Sequence, residues 1–240
     1  TFITQFTTIR FMDLMATNGN PVSEWNQTTR PDADTQAQPA GISVLLLAKI
    51  VNRTGRNLWI NVPHQASNNY ILELATFLFN NNPQTDYLRL VLQLSLEPFF
   101  AQGQYAVAQA AQRNLANYHK FYAQRSLYIF NVFTSVFGGN SRLQFVVSYQ
   151  AVSQWVADQI FTGTGLIGVA NIVAAAPYYD CDNIGNSTNT AYFAGLAPSD
   201  VINRCNSSFA SLTPILNISN IDAQKYNLSM ATYETGTSIS

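Results

Sequence analysis

Short apolar segments alternate with longer segments of helical periodicity along most of this chain. Residues 58–62 and 143–149 are largely apolar runs of strand length. Residues 42–51, 70–80 and 121–137 instead carry apolar side chains at three- and four-residue spacing, as amphipathic helices do. Strands that are apolar on both faces and alternate with helices are typical of a parallel sheet covered by helices. The pattern therefore predicts an α/β protein.

Six segments have the length and composition of strands, at residues 9–14, 58–62, 88–96, 143–149, 172–177 and 228–234. Residues 151–161 predict a further helix, and residues 198–223 are expected to be irregular. No internal repeat or charge run divides the chain, so we expect one domain over residues 1–240. A closed (β/α)8 barrel needs eight strands. We expect the missing strands to lie outside this chain, which would then be part of a longer protein.

Two glutamates stand where predicted strands run out into loops. Glu97 precedes Pro98, and Glu234 stands two positions before Gly236. In a parallel barrel such strand ends reach the C-terminal rim, where the chemistry of these folds is located. Two carboxylates across a sugar-sized gap are the minimal requirement for cleaving a glycosidic bond. We therefore take Glu97 and Glu234 as candidate catalytic residues, with the alternative that each simply begins a polar loop.

Polar and aromatic residues also follow other predicted strands. A sugar site needs aromatic faces for stacking and fixed hydrogen-bonding groups for hydroxyls. The predicted substrate-binding residues are His64, Gln65, Tyr149, Gln150, Tyr178 and Trp155. The alternative is that the histidine is structural and that the aromatic residues serve packing.

The composition is poor in charge, which limits the possible partners. Charged residues make up 10% of the chain, against about 25% in typical soluble domains. The formal net charge of −1 argues against nucleic acid, whose binding needs a basic surface. No apolar run approaches the roughly 20 residues that span a bilayer, so we expect no membrane helix. We predict neither a bound metal nor a cofactor.

Sequons and cysteines point to an oxidising compartment. The Asn-X-Ser/Thr sequons lie at Asn26, Asn52, Asn186, Asn206, Asn217 and Asn227. Most fall in polar, turn-like segments that could accept a glycan. Cys181 and Cys205 flank one polar segment, which favours a disulfide over a metal site, although two free thiols in a reduced protein remain the alternative. Together these features favour a secreted glycoprotein.

Several strand ends of the chain resemble those of a known family. They are Arg10-Phe11-Met12-Asp13, Trp59-Ile60-Asn61-Val62-Pro63-His64-Gln65-Ala66, Ala176-Pro177-Tyr178-Tyr179 and Tyr233-Glu234-Thr235-Gly236. They look like the strand ends of secreted cellulase-like TIM barrels, which belong to the retaining glycoside hydrolases. The resemblance implies a (β/α)8 TIM barrel of which this chain covers roughly strands 2 to 7. It also implies that Glu97 is the general acid/base and Glu234 the nucleophile.

The chain departs from the family pattern around the first of these glutamates. Leu96 stands where the family has an asparagine that contacts the 2-hydroxyl of the sugar, a contact that strengthens in the transition state. Pro98, Phe99 and Phe100 make the surroundings of Glu97 apolar. We therefore expect a degenerate hydrolase that serves as a structural or glycan-binding part of an extracellular assembly and associates with itself or with other subunits. The alternative is an active retaining β-glycosidase acting on a plant-type or algal polysaccharide.

Overall fold

The computed structural model of the chain describes residues 5–81, 90–94, 101–149, 153–180, 195–210 and 212–238. These residues group into two compact units. The first unit comprises Thr1–Val147 and Gln159–Asn171, and the second comprises Ser148–Asp158 and Ile172–Ser240. Each unit is described separately below.

The first unit is a parallel sheet with helices between successive strands. Its elements are β1 (Thr8–Arg10), a short 3-10 helix (Trp25–Gln27), α1 (Val44–Thr54), β2 (Asn57–Val62), α2 (Asn68–Asn81), β3 (Leu90–Leu94), α3 (Ala101–Gln112), α4 (Tyr118–Phe137) and most of β4 (Leu143–Tyr149). The strands pair in the order in which they occur along the chain. Leu58 of β2 pairs with Ile9 of β1 and with Leu90 of β3, and Leu90 pairs with Leu143 of β4.

The apolar pattern explains how these elements pack. The buried residues of α1 are Val44, Leu47, Ala48 and Val51, which form one helical stripe. The helix ends at Gly55, whose left-handed backbone (φ 65°) suits a residue without a side chain. Phe130 of α4 stacks on Phe145 of β4, with ring centroids 4.4 Å apart, and both side chains are fully buried. Replacing a buried phenylalanine with alanine typically costs about 3–5 kcal/mol.

The second unit contains the end of β4 and most of α5 (Gln154–Phe161), followed by the C-terminal elements. These are β5 (Ile172–Ala175), β6 (Tyr178–Asp180), α6 (Pro198–Phe209), α7 (Leu212–Lys225), β7 (Ser229–Thr232) and β8 (Gly236–Ser238). Strand β5 pairs with β7, and β6 pairs with β8, both in parallel. The sheets of this unit are therefore small.

The prediction of a (β/α)8 TIM barrel is wrong. The described residues form a mixed α/β arrangement of small parallel sheets, and no barrel of eight strands is evident among them. The strand pairing is interrupted at Ala176 and Pro177, and β6 and β8 beyond this point form a separate two-stranded sheet. A proline has no N–H to donate to a strand ladder, so the pairing of β5 ends there. The parallel α/β character follows from local periodicity, whereas closure of a barrel depends on long-range pairing that periodicity does not encode.

The region 198–223 was expected to be irregular but forms α6 and most of α7. Pro198 is at the start of α6, and Pro214 is in the first turn of α7. A proline is tolerated in the first turn because its missing N–H would have no partner within the helix anyway. Helix α3 was not predicted either, because no element was assigned to residues 101–112. Within the described part of the chain, no helix is both long and apolar enough to cross a membrane.

Candidate functional site

The β5–β6 and β7–β8 segments of the second unit form a parallel ribbon with a break in its middle. Ala175 pairs with Thr232 before the break, and Tyr178 pairs with Gly236 after it. Residues 176–177 therefore face residues 233–235, so one segment carries an extra residue. This uneven break between the two sheets is hereafter called the bulge, because like a β-bulge it contains one extra residue on one side; such irregularities re-aim side chains and are often found beside functional sites. Gly236 has φ 149°, a conformation that residues with a side chain rarely adopt.

Glu234 lies within this bulge and is held by Tyr178. The Tyr178 hydroxyl donates a hydrogen bond to Oε2 of Glu234. The Thr235 hydroxyl donates to the Pro177 carbonyl oxygen at 2.9 Å, which ties the two connections together. The Tyr178 side chain remains 45% exposed. The bulge thus presents an oriented carboxylate next to an accessible aromatic ring.

Two of the predicted site residues, Tyr178 and Glu234, are therefore brought together. The other candidate catalytic residue, Glu97, lies outside the described residues, as do Leu96 and Gln150. The predicted pairing of two carboxylates consequently stays a prediction.

Two further candidates of the second unit have different environments. Trp155 on α5 is 59% exposed. Tyr149 at the end of β4 is only 5% exposed, and its hydroxyl donates to Oδ2 of Asp222 at 2.8 Å. The Tyr149 ring is thus part of the interior of the unit, whereas Trp155 presents an aromatic surface to solvent.

His64 and Gln65 belong to the first unit and follow β2. His64 is 4% exposed, and its Nε2 lies 3.2 Å from Nε2 of Gln65. Its ring packs edge-on against Tyr105, with centroids 5.5 Å apart, while Nδ1 is buried without a hydrogen-bond partner. Burial lowers the pKa of His64, so the neutral imidazole is the favoured form near pH 7. Because an amide nitrogen donates, Nε2 of His64 accepts from Gln65, and the neutral ring carries its proton on the unused Nδ1, which can donate a hydrogen bond.

Sequence reasoning missed a buried polar network in the second unit. Asp222 of α7 accepts from Tyr149 through Oδ2, while its Oδ1 is buried without a hydrogen-bond partner. Burial, the largest effect, raises the pKa of Asp222. Nearby, Asp158 of α5 accepts from Lys225 at 2.6 Å and from the Tyr226 hydroxyl. Asp222 lies in the segment that was expected to be irregular, so its position in a buried helix face could not be anticipated.

An open cavity of about 530 Å³ lies in the first unit, between Pro21 and Ala40. Apart from Arg30, its lining consists of small, apolar, hydroxyl and amide residues. Arg30 donates two hydrogen bonds to Asp32, at 3.0 and 2.8 Å, and this partner lowers the pKa of the Asp32 carboxyl. The cavity therefore offers a binding surface without an evident catalytic group. Among the described residues, no group of three or more His, Cys, Asp or Glu side chains could hold a metal ion.

The predicted glycosylation sites differ in accessibility. Asn26, Asn206, Asn217 and Asn227 are exposed. Asn52 is only half-buried, but its Nδ2 donates to the Asn81 carbonyl oxygen at 2.8 Å. Asn186 lies outside the described residues.

The structure describes one of the two cysteines that are predicted to form a disulfide. Cys205 on α6 takes part in a disulfide bond. Cys181 lies outside the described residues, so the Cys181–Cys205 pairing stays a prediction.

Comparisons with known protein families, with curated proteins and with solved structures find no match to this chain.

Proposed function

We propose that this protein is a secreted glycoprotein that binds carbohydrate at the Tyr178–Glu234 ribbon and takes part in an extracellular assembly. The observation that carries the proposal is the Glu234 carboxylate, oriented by the Tyr178 hydroxyl beside an exposed ring. The sequons and the disulfide at Cys205 support the localisation, because both are typical of secreted proteins.

The chemistry of the ribbon suits a sugar. The apolar face of a pyranose packs on an aromatic ring, and its hydroxyl groups donate to a carboxylate. Hydrogen bonds to an ionised group are stronger than neutral ones and fix the orientation of the ligand. Tyr178 keeps Glu234 in one orientation before binding, so less conformational entropy is lost when the sugar arrives.

Binding without cleavage is favoured by the sequence around Glu97. By the resemblance to retaining glycoside hydrolases, Leu96 replaces the asparagine that donates to the 2-hydroxyl, and the following Pro98 and Phe99 are apolar. Loss of a contact that strengthens in the transition state lowers the rate of hydrolysis more than it lowers ground-state affinity. A carboxylate and an aromatic ring would still hold a saccharide.

The binding proposal is tested by calorimetry with a panel of soluble plant and algal oligosaccharides. Glu234→Gln should weaken the affinity of the best ligand about tenfold or more, because a hydrogen bond to a charged group is worth about 1.5–3 kcal/mol. Tyr178→Ala should weaken it similarly, and Tyr178→Phe less, because the ring is kept.

Two exposed residues of the first unit provide controls for these variants. Asp34→Asn and Tyr128→Phe make equivalent changes elsewhere, from carboxyl to amide and from phenol to phenyl, and should leave the affinity unchanged. Equal affinity of the wild type and Glu234→Gln would overturn the proposed site. Covalent capture of a 2-fluoro-glycoside on Glu234 would show hydrolysis instead and overturn binding without cleavage.

The assembly part of the proposal rests on the low charge of the chain. With 10% charged residues, the surface has few groups that keep copies apart by repulsion. Ile202, Phe209 and Ile221 of the second unit are also exposed apolar side chains. Sedimentation velocity over a wide concentration range should show reversible association. A single monomeric species at all concentrations would contradict self-association.

A further inference from the structure

The Asn26 sequon lies beside a small pocket in the first unit, hereafter the Trp25 pocket. The pocket has a volume of about 290 Å³ and is lined by Glu24, Trp25, Asn26, Asn69 and Glu73. This volume lies just below the usual range of ligand pockets, about 300–1,000 Å³, so it suits a group the size of a single ring. The glycosylation acceptor is therefore itself part of a pocket wall.

The walls of the Trp25 pocket are held in place from several sides. Trp25 packs against Tyr70 and Phe77 of α2, with centroid separations of 5.6 and 5.4 Å. Oε2 of Glu24 accepts a hydrogen bond from the Ser67 hydroxyl at 2.9 Å. The pocket is thus formed before any ligand arrives.

The backbone around Asn26 is also fixed. Gln27 Oε1 accepts from the backbone N–H groups of Ser23 and Glu24, at 2.8 and 2.9 Å, which closes the turn before the 3-10 helix. The Thr28 hydroxyl of the sequon donates to the Trp25 carbonyl oxygen at 2.7 Å and closes the turn after it. The position of the Asn26 backbone relative to Trp25 is therefore set by the fold.

Asn26 and Asn52 provide an internal contrast between two sequons of the same unit. The exposed Asn26 amide has no hydrogen-bond partner among the described residues, whereas Nδ2 of Asn52 is used by the Asn81 carbonyl oxygen. A glycan on Asn52 would disturb that hydrogen bond, and one on Asn26 would not. The fold therefore leaves Asn26 free for modification.

We propose that Asn26 is N-glycosylated and that the Trp25 pocket holds the sugar ring attached to it. This inference rests on the secretion that the proposed function includes. The donor is an oligosaccharide linked through a diphosphate to a membrane lipid. Nδ2 of Asn26 forms the bond to the anomeric carbon, the bond from that carbon to the phosphate oxygen breaks, the lipid diphosphate leaves with the electron pair, and the amide nitrogen loses one proton.

The attached ring then has defined partners in the pocket. Its apolar face packs on the accessible part of the Trp25 indole, and its hydroxyl and acetamido groups bond to Asn69 and Glu73. The Asn26 glycan is therefore a stabilising element of the first unit and not only a solubilising group. This role differs from that of the Tyr178–Glu234 ribbon, which would take an external saccharide.

The experiment uses the full chain secreted from a eukaryotic host that makes high-mannose glycans. Peptide mapping by mass spectrometry gives the occupancy of each sequon. An endoglycosidase then trims each glycan to its first sugar, and the melting temperature of the wild type is compared with that of Asn26→Gln. The wild type should melt about 2–4 °C higher, the shift of one modest contact in a chain of this size. Asn217→Gln, which removes an exposed acceptor on α7, should leave the melting temperature unchanged.

Glu73→Ala, made in both backgrounds, isolates the pocket from the other effects of a glycan. It should lower the melting temperature of the glycosylated protein by about 1–2 °C and leave that of Asn26→Gln unchanged. An unmodified Asn26 on a chain glycosylated elsewhere would overturn this inference and leave the proposed secretion intact. A chain without any glycan would overturn both. A glycan on Asn26 with the same Glu73→Ala effect in both backgrounds would overturn the pocket's role.

Discussion

The two units each bury a titratable group, and they satisfy it differently. His64 of the first unit packs against Tyr105, shares a hydrogen bond of 3.2 Å between its Nε2 and Nε2 of the adjacent, exposed Gln65, and has no partner for its Nδ1. Asp222 of the second unit receives a hydrogen bond from Tyr149, and only its Oδ1 is without one. Burial lowers the pKa of His64 and raises that of Asp222. Desolvation thus favours the neutral form of both groups, although it moves the two pKa values in opposite directions.

The contrast shows that two similarly buried groups differ in how strongly the loss of a neighbouring side chain affects stability. His64 is held by ring packing and by one hydrogen bond to Gln65, which is exposed and can bond to water instead. An apolar side chain of similar size can therefore replace it. The environment of Asp222 includes a specific donor, whose loss leaves a buried carboxyl without a partner. Removing one member of a buried polar pair costs more than the pair contributes in net terms, because the remaining group stays desolvated.

The largest effect is expected when one tyrosine hydroxyl is removed from the second unit, and the matching substitution in the first unit should have little effect. Tyr149→Phe should lower the free energy of unfolding of the second unit by about 1–3 kcal/mol, because Asp222 loses its donor. Tyr105→Phe keeps the ring that contacts His64, so it should change the stability of the first unit by less than about 0.5 kcal/mol. Hydrogen exchange of the amides of α7 and α4 measures the two units separately. Equal effects of the two substitutions would remove the distinction between them.

A second test uses pH, because the two units should respond with opposite signs. Burial lowers the pKa of His64 and that of His119, the latter to about 4. Both histidines are neutral in the folded and unfolded chains above about pH 6.5, the usual histidine pKa, so stability is complete there. As the pH falls toward about 4, the unfolded chain binds protons first and the folded state loses stability. Asp222 has a raised pKa, so its contribution is complete below about pH 3.9, the usual aspartate pKa, and is lost as the pH rises through the folded value.

The control for the pH test is Asp222→Asn, which mimics the neutral carboxyl in size and cannot titrate. The difference in stability between this variant and the wild type should grow in favour of the variant as the pH rises, by at most about 1.4 kcal/mol per pH unit. Amide exchange of α7 across the pH range measures it. A difference that is constant with pH would show that Asp222 keeps the same protonation state in the folded and unfolded chains.

A smaller effect is expected from His64→Leu. The substitution removes a buried nitrogen without a partner, so the stability of the first unit at pH 7 should change by less than about 1 kcal/mol in either direction. It should also reduce the loss of stability in acid. Chemical unfolding of the wild type and the variant at pH 7 and pH 5 measures both the change in stability at pH 7 and the loss of stability in acid. A large loss at pH 7 would mean that His64 makes a specific contribution that ring packing does not explain.

The smallest effect is expected at the exposed ion pair of the second unit. Lys225 and Asp158 are 2.6 Å apart, but their side chains are 50% and 41% exposed. Solvent screening weakens such pairs, so Lys225→Gln should give no change beyond the error of an unfolding measurement. A clear loss of unfolding free energy would indicate that Lys225 acts through the buried Asp222 network. The exposed ion pair and the buried network would then not be energetically separate.

The sequence predicted those features that depend on neighbours along the chain. The spacing of Leu47 and Val51 predicted α1, and the apolar run around Ile60 predicted β2, because burial of one face or one strand has a local signature. The barrel prediction failed because closure depends on pairing between distant segments. Helices α6 and α7 were not predicted, although Pro198 and Pro214 stand in their first turns, where a proline is compatible with a helix.

In the candidate sites too, features with a local sequence signature were predicted, and features that depend on distant residues were not. Glu234 and Tyr178 were identified from their positions after strands, and the fold brings them together across 56 positions of sequence. The Tyr149–Asp222 contact joins residues 73 positions apart, and nothing in the local pattern of either residue indicates its partner. The Trp25 pocket was also missed, since its walls come from a loop and from one face of α2.

The bulge at Glu234 makes this part of the chain sensitive to length. Because residues 176–177 face residues 233–235, the register of β6 with β8 depends on a difference of one residue between the two connections. A substitution in the longer connection, residues 233–235, does not change the number of residues and preserves that difference, whereas a single deletion would remove it. Deleting Thr235 would make the two connections equal and shift the pairing of β8 by one residue, which reverses the face that each later side chain occupies. Among related sequences, insertions and deletions should therefore avoid residues 233–235 more strictly than amino-acid replacements do.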